Sequence, residues 1–124
     1  MPIIRAQDAK RFDMHGAEFS GLAAPSRGSS ENAVWRVKIA AGTPGTAHRL
    51  TKEEIIVALR GKAEVRLGDQ VHVASAGDVV IVPEGTEFSL TVLEGEPFEA
   101  IAILPVGGMA VIGAQTPFTP PWAL

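Results

Sequence analysis

The residues of this chain that could do chemistry are a histidine and a nearby carboxylate. His48 is followed six residues later by Glu54. A desolvated imidazole held by a carboxylate can act as a general base near neutral pH. The alternative is structural, because two buried polar groups that pair also avoid a desolvation cost of about 1–3 kcal/mol. The sequence leaves both interpretations of His48 and Glu54 open.

The sequence lacks the residues that define several other kinds of catalytic or binding site. The chain has no cysteine, which excludes disulfides, thiolate metal sites, iron–sulfur clusters and cysteine nucleophiles. It contains no G-x-S-x-G sequence, the mark of one large class of serine hydrolases. Gly107-Gly108 lacks the lysine and the strand-to-helix setting of a phosphate-binding loop.

The elements that must position His48 and Glu54 are short strands separated by glycine and proline. In residues 34–39, 62–67 and 88–92, apolar and polar side chains alternate with a period of two. Val79 to Val82 is a continuous apolar run, typical of a strand covered on both sides. Gly68-Asp69 lies between two such runs and predicts a tight hairpin turn. The pattern predicts an all-β sandwich or barrel with little or no helix.

A chain of 124 residues is long enough for one domain, and we expect three regions within it. Residues 1–33 are predicted to form an N-terminal arm with irregular strands, and residues 34–104 the barrel core. Residues 105–124 form an extended, proline-rich tail, since proline removes the donors that a central strand needs. Phe118 and Trp122 are expected to cover the barrel mouth or to form an interface. His15 and His72 are expected at the surface.

The net charge of −3 makes nucleic acid and anionic membrane surfaces poor candidate partners. The N-terminal residues have no apolar core of signal-peptide length, and no segment approaches the length of a membrane span. We therefore expect a soluble, cytoplasmic protein.

Two segments resemble the two signature motifs of the cupin family, G-x5-H-x-H-x(3,4)-E-x6-G and G-x5-P-x-G-x2-H-x3-N. The first motif is matched at Gly42, His48, Glu54 and Gly61, and the second at Gly77, Pro83 and Gly85. The resemblance covers about residues 34–104. It implies a double-stranded β-helix, the jelly-roll barrel of the cupins.

The resemblance also implies a metal site that this chain has largely lost. In metal-binding cupins, two histidines and the glutamate of the first motif join the histidine of the second around one metal ion. Here Leu50 and Phe88 stand where the second and third histidines would be, and Val92 replaces the final asparagine. Since two protein ligands seldom hold a transition metal tightly, we expect no bound metal. The alternative is one divalent transition metal held by His48 and Glu54.

Together, these expectations predict a protein that binds a small molecule and could also catalyse an acid–base step. We expect a small, largely apolar organic molecule to bind inside the barrel, in a pocket lined by Leu50, Phe88 and Trp35. His48 and Glu54, predicted to be a hydrogen-bonded pair, would supply any weak acid–base step. The alternative is a metal-dependent oxygenase or isomerase with a reduced His/Glu site. Metal-free cupin sugar epimerases generally use a catalytic tyrosine, which this chain lacks.

A homodimer is also expected, because barrels of this family often pair through sheet edges and exchanged arms. The N-terminal arm and the tail that carries Trp122 could supply such contacts.

Overall fold

The computed structural model describes residues 3–14 and 16–124, so the prediction for His15 lies outside the described residues. Eleven strands account for almost all of the regular structure, and the only helical segments in this part of the chain are three short 3-10 turns, at Ala6–Asp8, Pro25–Arg27 and Pro121–Ala123. The strands are β1 (Lys10–Met14), β2 (Ala17–Ala23), β3 (Asn32–Ile39), β4 (Arg49–Leu50), β5 (Glu54–Arg60), β6 (Lys62–Leu67), β7 (Gln70–Ser75), β8 (Val79–Val82), β9 (Phe88–Val92), β10 (Phe98–Pro105) and β11 (Ala110–Val111).

The strands form antiparallel sheets that enclose one core. The larger sheet has six strands in the order β1-β2-β3-β10-β5-β8. A second sheet has the order β7-β6-β9, and β11 pairs with β4. Residues of both larger sheets belong to a single buried apolar cluster. The predicted all-β jelly-roll architecture with little helix is confirmed.

Period-two patterning decides which side chains enter that core. Trp35 and Val37 are buried on β3, whereas Arg36 and Lys38 between and after them are exposed. Strand β6 shows the same alternation, and on β9 Phe88 and Val92 are buried while the three residues between them are partly exposed. Gly68 and Asp69 connect β6 to β7 as the predicted two-residue hairpin turn. Strand β5 begins at Glu54, directly after an irregular segment.

Strand β8 differs from its prediction. Val80 and Val82 are buried, but Val79 and Ile81 are each 56% exposed, so the strand is covered on one side only. The physical reason is that no other element within the described residues covers the outer face of the six-stranded sheet at β8, so Val79 and Ile81 meet solvent. A run of four apolar residues therefore does not by itself indicate burial on both faces of a strand.

The C-terminal tail packs against its own chain. The indole of Trp122 stacks on Phe19 with ring centroids 3.7 Å apart, and it lies 6.3 Å from the rings of both Phe12 and Trp35. Phe118 forms a backbone bridge to Ala110. The tail therefore contributes to one side of the barrel of this subunit.

No helix among the described residues is both long enough and apolar enough to cross a membrane.

Candidate functional site

The backbone joins the two motif segments at one end of the barrel. The amide of His48 donates to the carbonyl of Phe88 at 2.9 Å, and the amide of Phe88 donates back to His48 at 2.8 Å. Two residues after His48, the carbonyl of Leu50 accepts a hydrogen bond from the amide of Gly85 at 2.9 Å. These bonds place the imidazole of His48 4.3 Å from the ring of Phe88, between centroids. Residues forty positions apart in the chain thus become neighbours.

Two motif glycines have backbone conformations that the site requires. Gly85 adopts φ +75°, a left-handed conformation that other residues rarely take, and so directs its amide to Leu50. Gly61 adopts φ +82°, and a Cβ atom there would lie 2.2 Å from the carbonyl oxygen of Pro97. The glycine spacing of the motifs therefore reflects turn geometry and close backbone approach.

A cavity of about 330 Å³ lies inside the barrel beside these residues. Its wall includes all five residues predicted for the site. They are His48, Leu50, Glu54, Phe88 and Trp35. The rest of the wall is mainly apolar and comes from β2, β3, β5, β9, β10 and the tail; it includes Phe19, Val37, Ile39, Ile56, Leu90, Ala102, Phe118 and Trp122. Exposed Met14, Pro44 and Thr46 mark where the cavity meets solvent.

Glu54 is the one buried acidic or basic residue among the described residues, at 6% exposure. Among the described residues, no hydrogen bond or charged neighbour acts on its carboxyl group, which lines the cavity together with Ile56, the next inward residue of β5. Burial without a compensating charge or donor raises the pKa of Glu54 from 4.5 to about 8. At neutral pH the group is therefore mainly a neutral carboxylic acid that can donate a hydrogen bond into the cavity.

His48 is bound to the backbone instead of to Glu54. Its Nδ1 lies 2.8 Å from the carbonyl oxygen of Thr46. Because a carbonyl oxygen only accepts, Nδ1 carries the proton and Nε2 of the neutral ring keeps a lone pair. The predicted hydrogen-bonded pair of His48 and Glu54 is wrong. The imidazole forms its hydrogen bond with a residue two positions earlier in the same loop and forms none with the carboxyl group of Glu54.

Leu50, Phe88 and Trp35 line the cavity and are also buried, at 3%, 3% and 4% exposure. The choice between a core role and a ligand-facing role therefore does not apply to them, since each side chain does both. His72 is exposed and bonds to Gln70, away from this cavity. Sequence reasoning did not single out Thr46 or Phe19, which carry no motif signal.

A family model described as the cupin domain matches residues 35–104, more than half of the chain. The chain belongs to the cupin family. Among curated proteins, no sequence shows a significant match to this cupin.

Solved structures show the same fold at low sequence identity. The polyketide cyclase RemF from Streptomyces resistomycificus has a TM-score of 0.80 and 15% identity, covering 97% of this chain and 89% of its own. KdgF from a Halomonas species has a TM-score of 0.71 and 21% identity, covering 83% and 93%. An RmlC-like cupin from Shewanella frigidimarina has a TM-score of 0.74 and 15% identity, covering 85% and 90%. These similarities establish the barrel architecture.

This cupin keeps a metal-ligating side chain at two of the four metal positions of the motifs, His48 and Glu54. Within residues 3–14 and 16–124, no three histidine, cysteine, aspartate or glutamate side chains lie close enough to share an ion. Such sites normally use three or four protein ligands. His48 and Glu54 line the cavity with apolar Leu50 and Phe88 in the remaining motif positions.

Two substitutions should restore a metal site. We expect Leu50→His combined with Phe88→His to bind close to one Ni²⁺ or Zn²⁺ per chain, because both positions line the cavity together with His48 and Glu54. The backbone bond at Nδ1 already holds His48 in the tautomer that presents Nε2 to a metal. Metal per chain would be measured by mass spectrometry after desalting of untagged protein.

The unaltered protein and a triple variant that also carries His48→Ala serve as controls, and both should retain far less metal. Equal metal content in the double variant and the unaltered protein would contradict the arrangement of these four positions around one point.

Proposed function

We propose that this cupin binds a small, neutral, largely apolar organic molecule inside its barrel, with Glu54 as the polar group that the ligand meets. One observation carries the proposal: an apolar cavity of about 330 Å³ contains a buried carboxyl group without a partner. A cavity of this size and lining falls within the range of small-molecule sites. A ligand with an acceptor would gain a hydrogen bond from this carboxyl group, worth about 0.5–1.5 kcal/mol.

The volume and the lining limit the ligand. Since a water molecule takes about 30 Å³ in the liquid, the cavity holds a molecule of about ten non-hydrogen atoms. Aromatic rings of Phe19, Phe88 and Trp122 are in the wall, which favours a planar ligand. The protonated acid of Glu54 favours a ligand with a carbonyl or similar acceptor, and disfavours a carboxylate.

The same geometry supports acid–base chemistry on a suitable ligand. A carboxylic acid with a pKa of about 8 exchanges its proton near neutral pH, the condition that suits a general acid or base. Nε2 of His48 adds a second proton acceptor at the cavity wall. A ligand whose reactive position lies beside Glu54 would therefore be open to proton transfer.

A second candidate function is a metal-dependent oxygenase or isomerase. It is favoured by the free lone pair on Nε2 of His48, which shares a cavity with the carboxyl group of Glu54. Two protein ligands would need completion by substrate or water. Incubation with Fe²⁺, Mn²⁺, Ni²⁺, Cu²⁺ or Zn²⁺ followed by desalting tests it, and about one metal per chain that disappears in His48→Ala would favour this candidate.

Ligand binding is tested with 1-indanone and indane, two planar probes of about ten non-hydrogen atoms and nearly equal shape that differ in one acceptor. Trp35 and Trp122, the two tryptophans of the chain, both line the cavity, so their fluorescence reports on occupancy. We expect saturable quenching by both probes at pH 6, with the ketone bound about 2- to 10-fold more tightly, the value of one hydrogen bond.

Glu54→Leu should abolish the preference for the ketone while it keeps or improves binding of indane. Val73→Glu, a change at an exposed position outside the cavity, should leave both affinities unchanged. Absence of saturable quenching by either probe would overturn the proposed binding function. Equal affinities in the unaltered protein would overturn the role of Glu54 alone.

A further inference from the structure

A second cleft, of about 350 Å³, lies at the seam between the two larger sheets. It lies between β7, the last strand of one sheet, and β8, the last strand of the other, and shares no lining residue with the cavity of Glu54. Its floor includes the buried side chains of Val65, Ala74 and Val80. His72 is the strand partner of Val65 on the same inward face, yet it is exposed while Val65 is buried. The barrel wall is therefore open along β7.

The backbone of β7 has free hydrogen-bonding groups along this cleft. The amide of Asp78 donates to the carbonyl of Ser75 at 2.9 Å, and the amide of Ser75 donates to Oδ2 of Asp78 at 2.8 Å. Both backbone groups of Ser75 thus point away from β6, and those of Val73 and Val71 do the same because alternate residues face the same edge. Among the described residues, no backbone hydrogen bond from outside the ladder of β6 and β7 reaches either valine.

The opposite edge of the same sheet is covered by the chain itself. His48 and Phe88 exchange two backbone hydrogen bonds, and the amide of Val92 donates to the carbonyl of Thr43 at 3.0 Å. Residues 43–48 therefore pair with the edge of β9. An edge that nothing covers is normally protected by charged residues or proline, but the sequence of β7, QVHVAS, contains no lysine, arginine, carboxylate or proline. Such an edge is open to pairing with another extended segment.

The geometry of the cleft suits one more antiparallel strand. The chain reverses direction after Ser75, and Asp78 already forms the two hydrogen bonds that a neighbouring strand would form there. Residues opposite Val73 and Val71 would share the outward face of these two valines, and the alternate residues would direct their side chains into the cleft. At about 30 Å³ for a water-sized group, the cleft holds about twelve non-hydrogen atoms, which suits two or three small apolar side chains.

One end of the cleft is acidic. Asp69 lies in the turn before β7, and Glu84 and Glu87 lie after β8, all exposed. The amide of Gly68 donates to the carbonyl of Glu87 at 2.8 Å, which brings the two turns together. Three carboxylates thus flank the end at which β7 begins.

The cations near the cleft do not neutralise this acidic end. Arg49 directs its guanidinium to the carbonyl of Gly113 at 3.5 Å. Lys52, whose charge is offset by adjacent Glu53, donates to the carbonyl of Val106 at 3.2 Å. Elsewhere around the cleft, charges of opposite sign occur together, namely Glu64 with Arg66 on β6 and Lys62 with Asp78 beside the turn after β7. The acidic end therefore favours a cationic partner.

We propose that the edge of β7 binds an extended segment of a partner protein as an antiparallel strand, with small apolar side chains in the cleft and lysine or arginine at its C-terminal end. Backbone hydrogen bonds supply the affinity in this mode of recognition, and alternate side chains supply the specificity. An antiparallel segment ends where β7 begins, so its last residues lie beside Asp69, Glu84 and Glu87. The site is independent of the cavity that contains Glu54.

Binding is tested with the fluorescein-labelled, C-terminally amidated peptide TVTVTVKK. We expect a saturable rise in fluorescence anisotropy between about 1 µM and 1 mM protein. N-methylation of the last two threonines should weaken binding by about 10-fold or more, because their amides face β7 when the valines enter the cleft. N-methylation of the last two valines is the matched control and should leave binding unchanged. Replacement of both lysines by glutamate should weaken binding, and salt should reduce that difference.

Variants of the protein test the same contacts from the other side. Val73→Pro removes one amide at the open edge and no bond to β6, and it should weaken binding by about 5-fold or more. Glu84→Lys with Glu87→Lys should also weaken binding of TVTVTVKK. Asp8→Lys is the matched control, since Asp8 is exposed before β1, at the far edge of the six-stranded sheet from β8. Circular dichroism verifies that each variant is folded.

The comparison of the two N-methylated peptides uses the unaltered protein, so it decides the matter even where Val73→Pro does not fold. Equal binding of these two peptides, or no saturable binding of TVTVTVKK, would overturn the proposal. Equal binding of the lysine and glutamate peptides would overturn the cationic end of the partner. Sedimentation velocity covers the other occupant: a dimer that Val73→Pro converts to a monomer would place a second copy of this chain at the edge and would also overturn the proposal.

Discussion

Raising the pH from 5 to 8 is expected to lower the free energy of unfolding by about 3 to 4 kcal/mol through Glu54 alone. The folded protein holds this carboxyl group with a pKa of about 8, whereas 4.5 is its ordinary value. Between these values the unfolded chain has released a proton that the folded chain still binds. Unfolding is therefore favoured by about 1.4 kcal/mol for each pH unit. The stability is fully present below pH 4.5, and the loss levels off above about pH 8.

The contribution of Glu54 is isolated by comparison with Glu54→Gln, which removes the titration. Urea unfolding at a series of pH values should show the variant gaining stability relative to the unaltered protein as the pH rises. Glu53→Gln is the matched control, because it removes the neighbouring carboxylate at an exposed position and should follow the unaltered protein. A constant difference between Glu54→Gln and the unaltered protein from pH 5 to 8 would show that the carboxyl group is solvated or paired.

Trp122→Ala is expected to cost about 3–5 kcal/mol, the range for removal of a large buried ring. The indole is 8% exposed and contacts three aromatic rings, those of Phe12, Phe19 and Trp35. Aromatic pairs add about 0.5–1.5 kcal/mol each beyond the apolar area that they bury. Chemical denaturation followed by circular dichroism measures the loss.

Two further variants separate ring packing from a general effect of the tail. Trp122→Phe keeps an aromatic ring and should recover much of the stability. Leu124→Ala alters a tail residue that is 59% exposed and should change stability by less than about 0.5 kcal/mol. A loss below about 1 kcal/mol in Trp122→Ala would show that the tail rests on the barrel without stabilising it.

The sequence predicted the barrel because two independent signals agreed. Trp35 and Val37 alternate with Arg36 and Lys38, and this period places one face of β3 on the core whatever its neighbours are. Glycine spacing then identified the connections, since positions such as Gly61 and Gly85 require conformations that other residues rarely adopt. The exposed face of β8 was not predicted, because a period of two gives no information where the residues of both faces are apolar.

The sequence predicted that four motif residues would lie close together, but it did not predict their hydrogen bonds. Motif spacing indicated that His48, Leu50, Glu54 and Phe88 would meet, and all four line one cavity. The partner of His48 is a backbone carbonyl, that of Thr46, and every residue type supplies such a group. No side-chain pattern could therefore have revealed it. The position of Trp122 beside Phe19 likewise depends on the path of the tail, which proline content leaves undetermined.

The pairing of β3 with β10 has a consequence for folding kinetics. Trp35 lies opposite Ala102, a residue 67 positions later, and both line the cavity. Contacts over such separations require closure of long loops, so we expect folding on the millisecond-to-second timescale of β-rich topologies. No short segment can form the cavity early, because its wall draws on strands from β2 to β10. Ligand-binding capacity should consequently appear with the last cooperative step of refolding and not before it.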